Sequence, residues 1–96
     1  MASVFDTAKY ILTKIGPISA MKLQKLVYYS QAWALAWDDK PIFQESIEAW
    51  ANGPVVRRLY EAHKGKFIVN AEDFPDADTC RLSEEHKETI DTIISA

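Results

Sequence analysis

The chain is 96 residues long, and a domain of that size buries roughly 60 to 65% of the surface its unfolded chain exposes, enough for one modest core. Apolar residues make up 48% and charged residues 26%, a globular composition that excludes a disordered or low-complexity chain. The net charge of -3 argues against a general polyanion binder, which needs an excess of Lys and Arg on one face.

Cys80 is the only cysteine, so no internal disulfide and no cysteine-based zinc framework is available, which fits a reducing compartment. Residues Met1 to Thr13 lack the continuous apolar core of a secretory signal, because Asp6, Lys9 and Tyr10 interrupt them. The longest apolar-rich stretch, Leu26 to Trp37, contains Ser30 and Gln31 and is too short to span a bilayer. The expectation is one cytoplasmic domain over residues 1–96, with no membrane role.

Ser3 with Asp6 three residues later resembles a capping box, and Val4, Phe5, Ala8, Ile11, Leu12 and Ile15 follow at helical spacing. Gly16 and Pro17 end this first helix. Ser19 caps a second, running to about Trp37. It places Leu23, Leu26, Val27, Ser30, Trp33, Ala34 and Trp37 on one wide face and Met21, Tyr28, Ala32 and Leu35 on the opposite one. A helix apolar on two opposed faces packs between other elements, so this one is expected at the centre of the domain. Two narrow polar stripes remain, Lys22, Lys25 and Tyr29 along one side and Gln24 and Gln31 along the other.

Asp38 to Pro41 signal a turn, after which Ile42, Phe43 and then Ile47 to Trp50 read as two short strands of a hairpin. Asn52, Gly53 and Pro54 break the chain again, and Pro54 suits the first position of a third helix ending near Lys64 and closed by Gly65. In that helix Val55, Val56, Leu59, Tyr60 and Ala62 face inward, and Arg57, Glu61 and Lys64 face outward with Arg58 on the flank. Glu72, Asp73, Asp76 and Asp78 around Pro75 predict an exposed acidic loop. Ser83 opens a fourth helix, with His86, Thr89, Ile90, Ile93 and Ile94 on one face. The fold class is therefore mainly α, about four helices around a central one, with a small β-hairpin between helices two and three.

Little in this pattern carries bond-making chemistry. His63 and His86 are the only histidines; His63 on the inner half of helix three reads either as a hydrogen-bonded core-edge residue or as a general base. Neither belongs to a metal-binding pair, the acidic loop lacks the calcium-loop pattern, and three glycines form no phosphate loop. No enzyme activity, metal or cofactor is expected. Binding remains, with two sources. Lys22 and Lys25, helped by Arg57, Arg58, Lys64 and Lys66, point to a nucleic-acid groove. Tyr10, projected onto the polar side of helix one, and Tyr29 beside Lys22 and Lys25 point instead to protein contact, since exposed aromatics near cations anchor interfaces.

The stretch Lys22-Leu23-Gln24-Lys25-Leu26-Val27-Tyr28-Tyr29-Ser30-Gln31-Ala32-Trp33 resembles the signature of the phage-associated Panacea domain family. A second block agrees in order and spacing: Pro41, Ile42, Phe43, then Ile47 to Trp50, then Gly53, Pro54, Val55, Val56, Leu59 and Tyr60. The resemblance covers roughly Ile18 to Tyr60. It implies a mainly helical fold with a small strand element, in which Leu23, Leu26, Trp33 and Trp50 build the core. It also implies an antitoxin that neutralises a toxin by direct contact, with a DNA-binding regulator and a proteolytic adaptor as the alternatives. The expected partner is a protein toxin encoded by the neighbouring gene. The family usually continues beyond a fourth helix, so the chain resembles a member shortened at its C-terminus. The motif residues with polar groups to spare, Lys22, Lys25, Tyr29 and Gln31, joined by Arg57, Arg58 and Tyr10, form the expected partner surface. Gln31, flanked by apolar neighbours, is equally open to a buried hydrogen-bonding role.

Overall fold

The computed structural model describes all 96 residues, Met1–Ala96. Helix α1 covers Val4–Ile15, and its capping box forms: Ser3 Oγ accepts from the Asp6 N–H at 3.3 Å while the Asp6 carboxylate accepts from the Ser3 N–H at 2.8 Å. Gly16 ends it with φ at 83°, a conformation that glycine adopts without a side-chain clash. After the two-residue strand β1, Ile18–Ser19, helix α2 covers Ala20–Asp38, capped by Ser19 Oγ and closed by Asp39 in the left-handed region at φ 55°.

The chain then crosses without regular structure to strands β2, Ile47–Trp50, and β3, Gly53–Val56, which pair antiparallel from Ile47 with Val56 to Trp50 with Gly53. Helix α3 covers Arg57–His63, and strand β4, Ile68–Val69, returns to pair with β1. Two single 3-10 turns, Ala71–Asp73 and Thr79–Arg81, lead to helix α4, Glu84–Ser95, whose N-terminus is capped by Ser83 Oγ. The architecture is mainly α with minor β, as expected. No helix is long and apolar enough to cross a membrane.

The hairpin is one strand further along the chain than predicted. Ala51 and Asn52 are its turn, and Gly53-Pro54 opens a strand and not a helix; Gly53 takes φ 121°, and Pro54 lies inside β3 opposite Ala49. Val56 sends both its N–H and its C=O to the Gln24 side chain, at 3.0 and 3.3 Å, so these groups point away from β2. Backbone direction alternates along a strand, so the ring nitrogen of Pro54 also faces away and leaves no ladder bond unmade. Helix α3 therefore begins at Arg57, three residues later than expected. Ile42 and Phe43 are fully buried but belong to no strand.

Helix α2 lies against the other elements on one face and not two: Met21 and Leu35 of the opposed face are exposed. The buried face is rotated from the predicted one toward the glutamines, with Ala20, Leu23, Gln24, Val27, Ser30, Gln31 and Ala34 buried. Around them pack Val4, Ala8 and Ile11 of α1, Ile42, Phe43, Val56 and Leu59, and Ile90 of α4. Trp33 and Trp37, expected inside, are instead 41% and 56% exposed and stack edge to face on the surface with ring centroids 5.2 Å apart. Trp50 is only half-buried. The reason for the rotation is polar. Gln31 Oε1 accepts from the Ile42 N–H at 2.7 Å and its amide donates to the Phe43 carbonyl at 2.7 Å, satisfying backbone that has no strand partner.

The acidic segment is more tightly held than expected. Phe74 is buried against α1, its ring 6.0 Å from that of Phe5. The fully buried Asp6 carboxylate also accepts from the Asp78 N–H at 2.7 Å and from Arg81 at 3.4 Å.

Candidate functional site

A groove of about 890 Å³ opens between the first half of α2, the β2–β3 hairpin and the end of α3. Met21, Lys25, Tyr28 and Tyr29 form its α2 wall, Trp50 and the hairpin turn the facing wall, and Tyr60, Lys64 and Lys66 the end. The aromatic rings are mutually braced. Tyr28 and Tyr29 lie 5.5 Å apart, Trp50 and Tyr60 meet edge to face at 4.9 Å, and Tyr60 meets His63 at 5.5 Å.

Gln24 and His63 lie at the base. Gln24 is oriented by the Val56 backbone, which takes its carbonyl oxygen with an N–H and its amide with a C=O. Its amide nitrogen therefore faces His63 Nε2 at 3.0 Å, and that ring nitrogen must accept, placing the imidazole proton on Nδ1. Burial holds the His63 pKa below its ordinary value of 6.5, so the ring is neutral. Of the two readings of His63, the structure favours the hydrogen-bonded one. The groove walls contain no carboxylate, serine, threonine or cysteine, so a nucleophile, base and acid do not converge here. No three His, Cys, Asp or Glu side chains come together as a metal set.

Behind the facing wall, Glu48 accepts from Trp50 Nε1 at 2.9 Å and from Arg57 Nε at 3.0 Å. These two bonds, that from Trp50 first, hold the Glu48 carboxyl below its ordinary range. The Arg57 guanidinium also lies 5.7 Å from the centre of the Trp50 ring.

Of the predicted partner residues, Lys25 and Tyr29 line the groove, and Lys22 is exposed on the same stripe of α2. Arg57 and Arg58 are exposed outside the groove, Arg57 engaged by Glu48. Two residues are not at the surface. Tyr10 is only 8% exposed, because helix α4 covers the side of α1 that projects as polar, and its hydroxyl donates to Asp91 at 2.9 Å. Gln31 is buried at 6% exposure and fully occupied by residues 42 and 43, the second of its two readings. Sequence reasoning did not pick out Gln24, Trp50, Tyr60, His63 and Lys64 as one site. They are brought together only by the hairpin folding back onto α2.

The family model described as "Antitoxin SocA-like, Panacea domain" matches residues 23–96. The chain belongs to this family. Antitoxin SocA of Caulobacter vibrioides (strain NA1000 / CB15N) is 39% identical to it over 57 residues, a stretch that covers 56% of this chain and 30% of that protein. The chain thus spans less than a third of the length of this relative. No solved structure matches it. The family match takes in both the α2 wall from Leu23 onward and the whole facing wall of the groove, so the site is made of family sequence and not of an appended segment.

Proposed function

We propose that the chain is an antitoxin that neutralises a protein toxin, the product of the neighbouring gene, by direct contact through the groove. Membership in an antitoxin-like family supports the role, and one observation supports the surface. A braced aromatic and cationic concavity keeps Lys25 and Tyr29 of the α2 stripe accessible at the surface. The chain contributes shape, aromatic anchors and charge, and no bond is made or broken.

Co-expression tests the reading. A neighbouring product that arrests growth alone and is silenced by this chain supports it. A neighbour equally toxic with and without the chain counts against it. Loss of the toxin only when a particular protease is present would replace masking by delivery for degradation.

A further inference from the structure

The groove carries a one-sided chemistry. Its lining contains three charged residues, Lys25, Lys64 and Lys66, all cations, in a chain whose net charge is -3. Lys66 is held by Asp73, whereas Lys25 and Lys64 form no ion pair. The hydroxyls of Tyr28, Tyr29 and Tyr60 make no hydrogen bond within the chain, and each lines the same groove. Two lysines without an ion pair and three tyrosines without a hydroxyl partner therefore line one concavity whose base, the Gln24 amide, is already saturated by Val56 and His63. Nothing in the lining repels an anion, and Met21, Trp50 and Tyr60 add apolar surface beside the cations.

Resting on the antitoxin reading, we propose that the groove receives an extended acidic segment of the toxin. Its carboxylates meet Lys25, Lys64 and the tyrosine hydroxyls, and an intervening apolar side chain lies against Trp50 and Tyr60. A protein segment suits the site better than nucleic acid. Two free cations neutralise too few phosphates to offset the repulsion of an acidic chain, while they match a pair of carboxylates flanking an apolar residue.

The test uses the full isotope-labelled chain and a short peptide of alternating glutamate with leucine and phenylalanine. Expected are NMR shifts concentrated on the Gln24 side-chain amide, the Trp50 indole and Tyr60, affinity that weakens with salt, and no comparable binding of the lysine counterpart. The Lys25→Glu, Lys64→Glu double variant should lose about tenfold or more in affinity with the rest of its spectrum unchanged. Equal binding of the lysine peptide, shifts outside the groove, or no binding by the folded wild type overturns the proposal. So does tighter, groove-centred binding of an oligothymidylate, or a dimer of the chain that the double variant abolishes. The two readings fail separately. A double variant that protects cells as well as the wild type sinks the groove assignment alone; a chain that takes the peptide but protects against no neighbour sinks the antitoxin role alone.

Discussion

The Gln24 amide donates to His63 Nε2 at 3.0 Å, beneath a groove that neither residue announces in the sequence. Because the Val56 backbone fixes the amide, it cannot turn over to accept a proton from the ring. A protonated His63 would aim an N–H at an NH₂ group.

That geometry gives a pH dependence. The unfolded chain protonates His63 near its ordinary value of 6.5, whereas burial lowers the folded value. Between the two, the unfolded state binds more protons, so stability is full above about pH 6.5 and falls as the pH drops through the window below it. Urea denaturation from about pH 7.5 to about pH 5 should show this fall in the wild type and a flatter profile in His63→Asn. The groups with lowered acid titrations, Glu48, Asp73 and Asp78, start from ordinary values of 4.5 and 3.8 and add their own loss only in more acid solution. Parallel profiles for the two chains would contradict the assigned ring state.

Gln31→Leu removes both partners of a buried backbone segment, the Ile42 N–H and the Phe43 C=O. The expected loss is on the order of 3 kcal/mol, since each stranded buried group costs about 1 to 3. A denaturation midpoint within error of the wild type would mean that residues 42 and 43 find other partners.

Tyr10→Phe tests the correction to helix α1. Burial, then the hydrogen bond to Asp91, pushes the phenol up to about 12 from 10.0. Between those values the folded chain holds the proton that the unfolded chain releases, so stability falls as pH rises through the window. The variant should be about 1 kcal/mol less stable near neutral pH and should lose less than the wild type in alkali. Equal alkaline loss would place the hydroxyl in water.

The rotated face of α2 makes a paired prediction. Leu23→Ala, at a fully buried position, should cost about 2 to 5 kcal/mol. Trp37→Ala removes a larger side chain that is 56% exposed, and should cost only about 1, the worth of its edge-to-face contact with Trp33. The reverse order would restore the face that hydropathy alone predicts.

Local signals were legible and non-local ones were not. The Ser3, Ser19 and Ser83 caps and the Gly16 stop depend on a few adjacent residues and occur where the sequence puts them. The α2 face was misread because hydropathy treats Gln24 and Gln31 as solvent-seeking, while their partners lie 32 and 11 or 12 positions further along the chain. Ile42 and Phe43 have the apolar pattern of a strand, but a side chain supplies the hydrogen bonds that a neighbouring strand would give. Lys22, Lys25 and Tyr29 share one helix edge, which the sequence shows directly; Trp50, Tyr60 and His63 come beside Lys25 and Tyr29 only through the hairpin's return.

Gln24 and Gln31 also make α2 a ruler. They stand seven residues apart on nearly one line, about 10 Å along the axis at 1.5 Å per residue, and each grips a stretch of backbone that is not helical. Inserting one residue between them would swing the second amide by about 100° around the axis, so the hairpin and the 42–43 segment could no longer both be held. This helix can change many of its residues and keep its place, but it cannot change the spacing of its two glutamines.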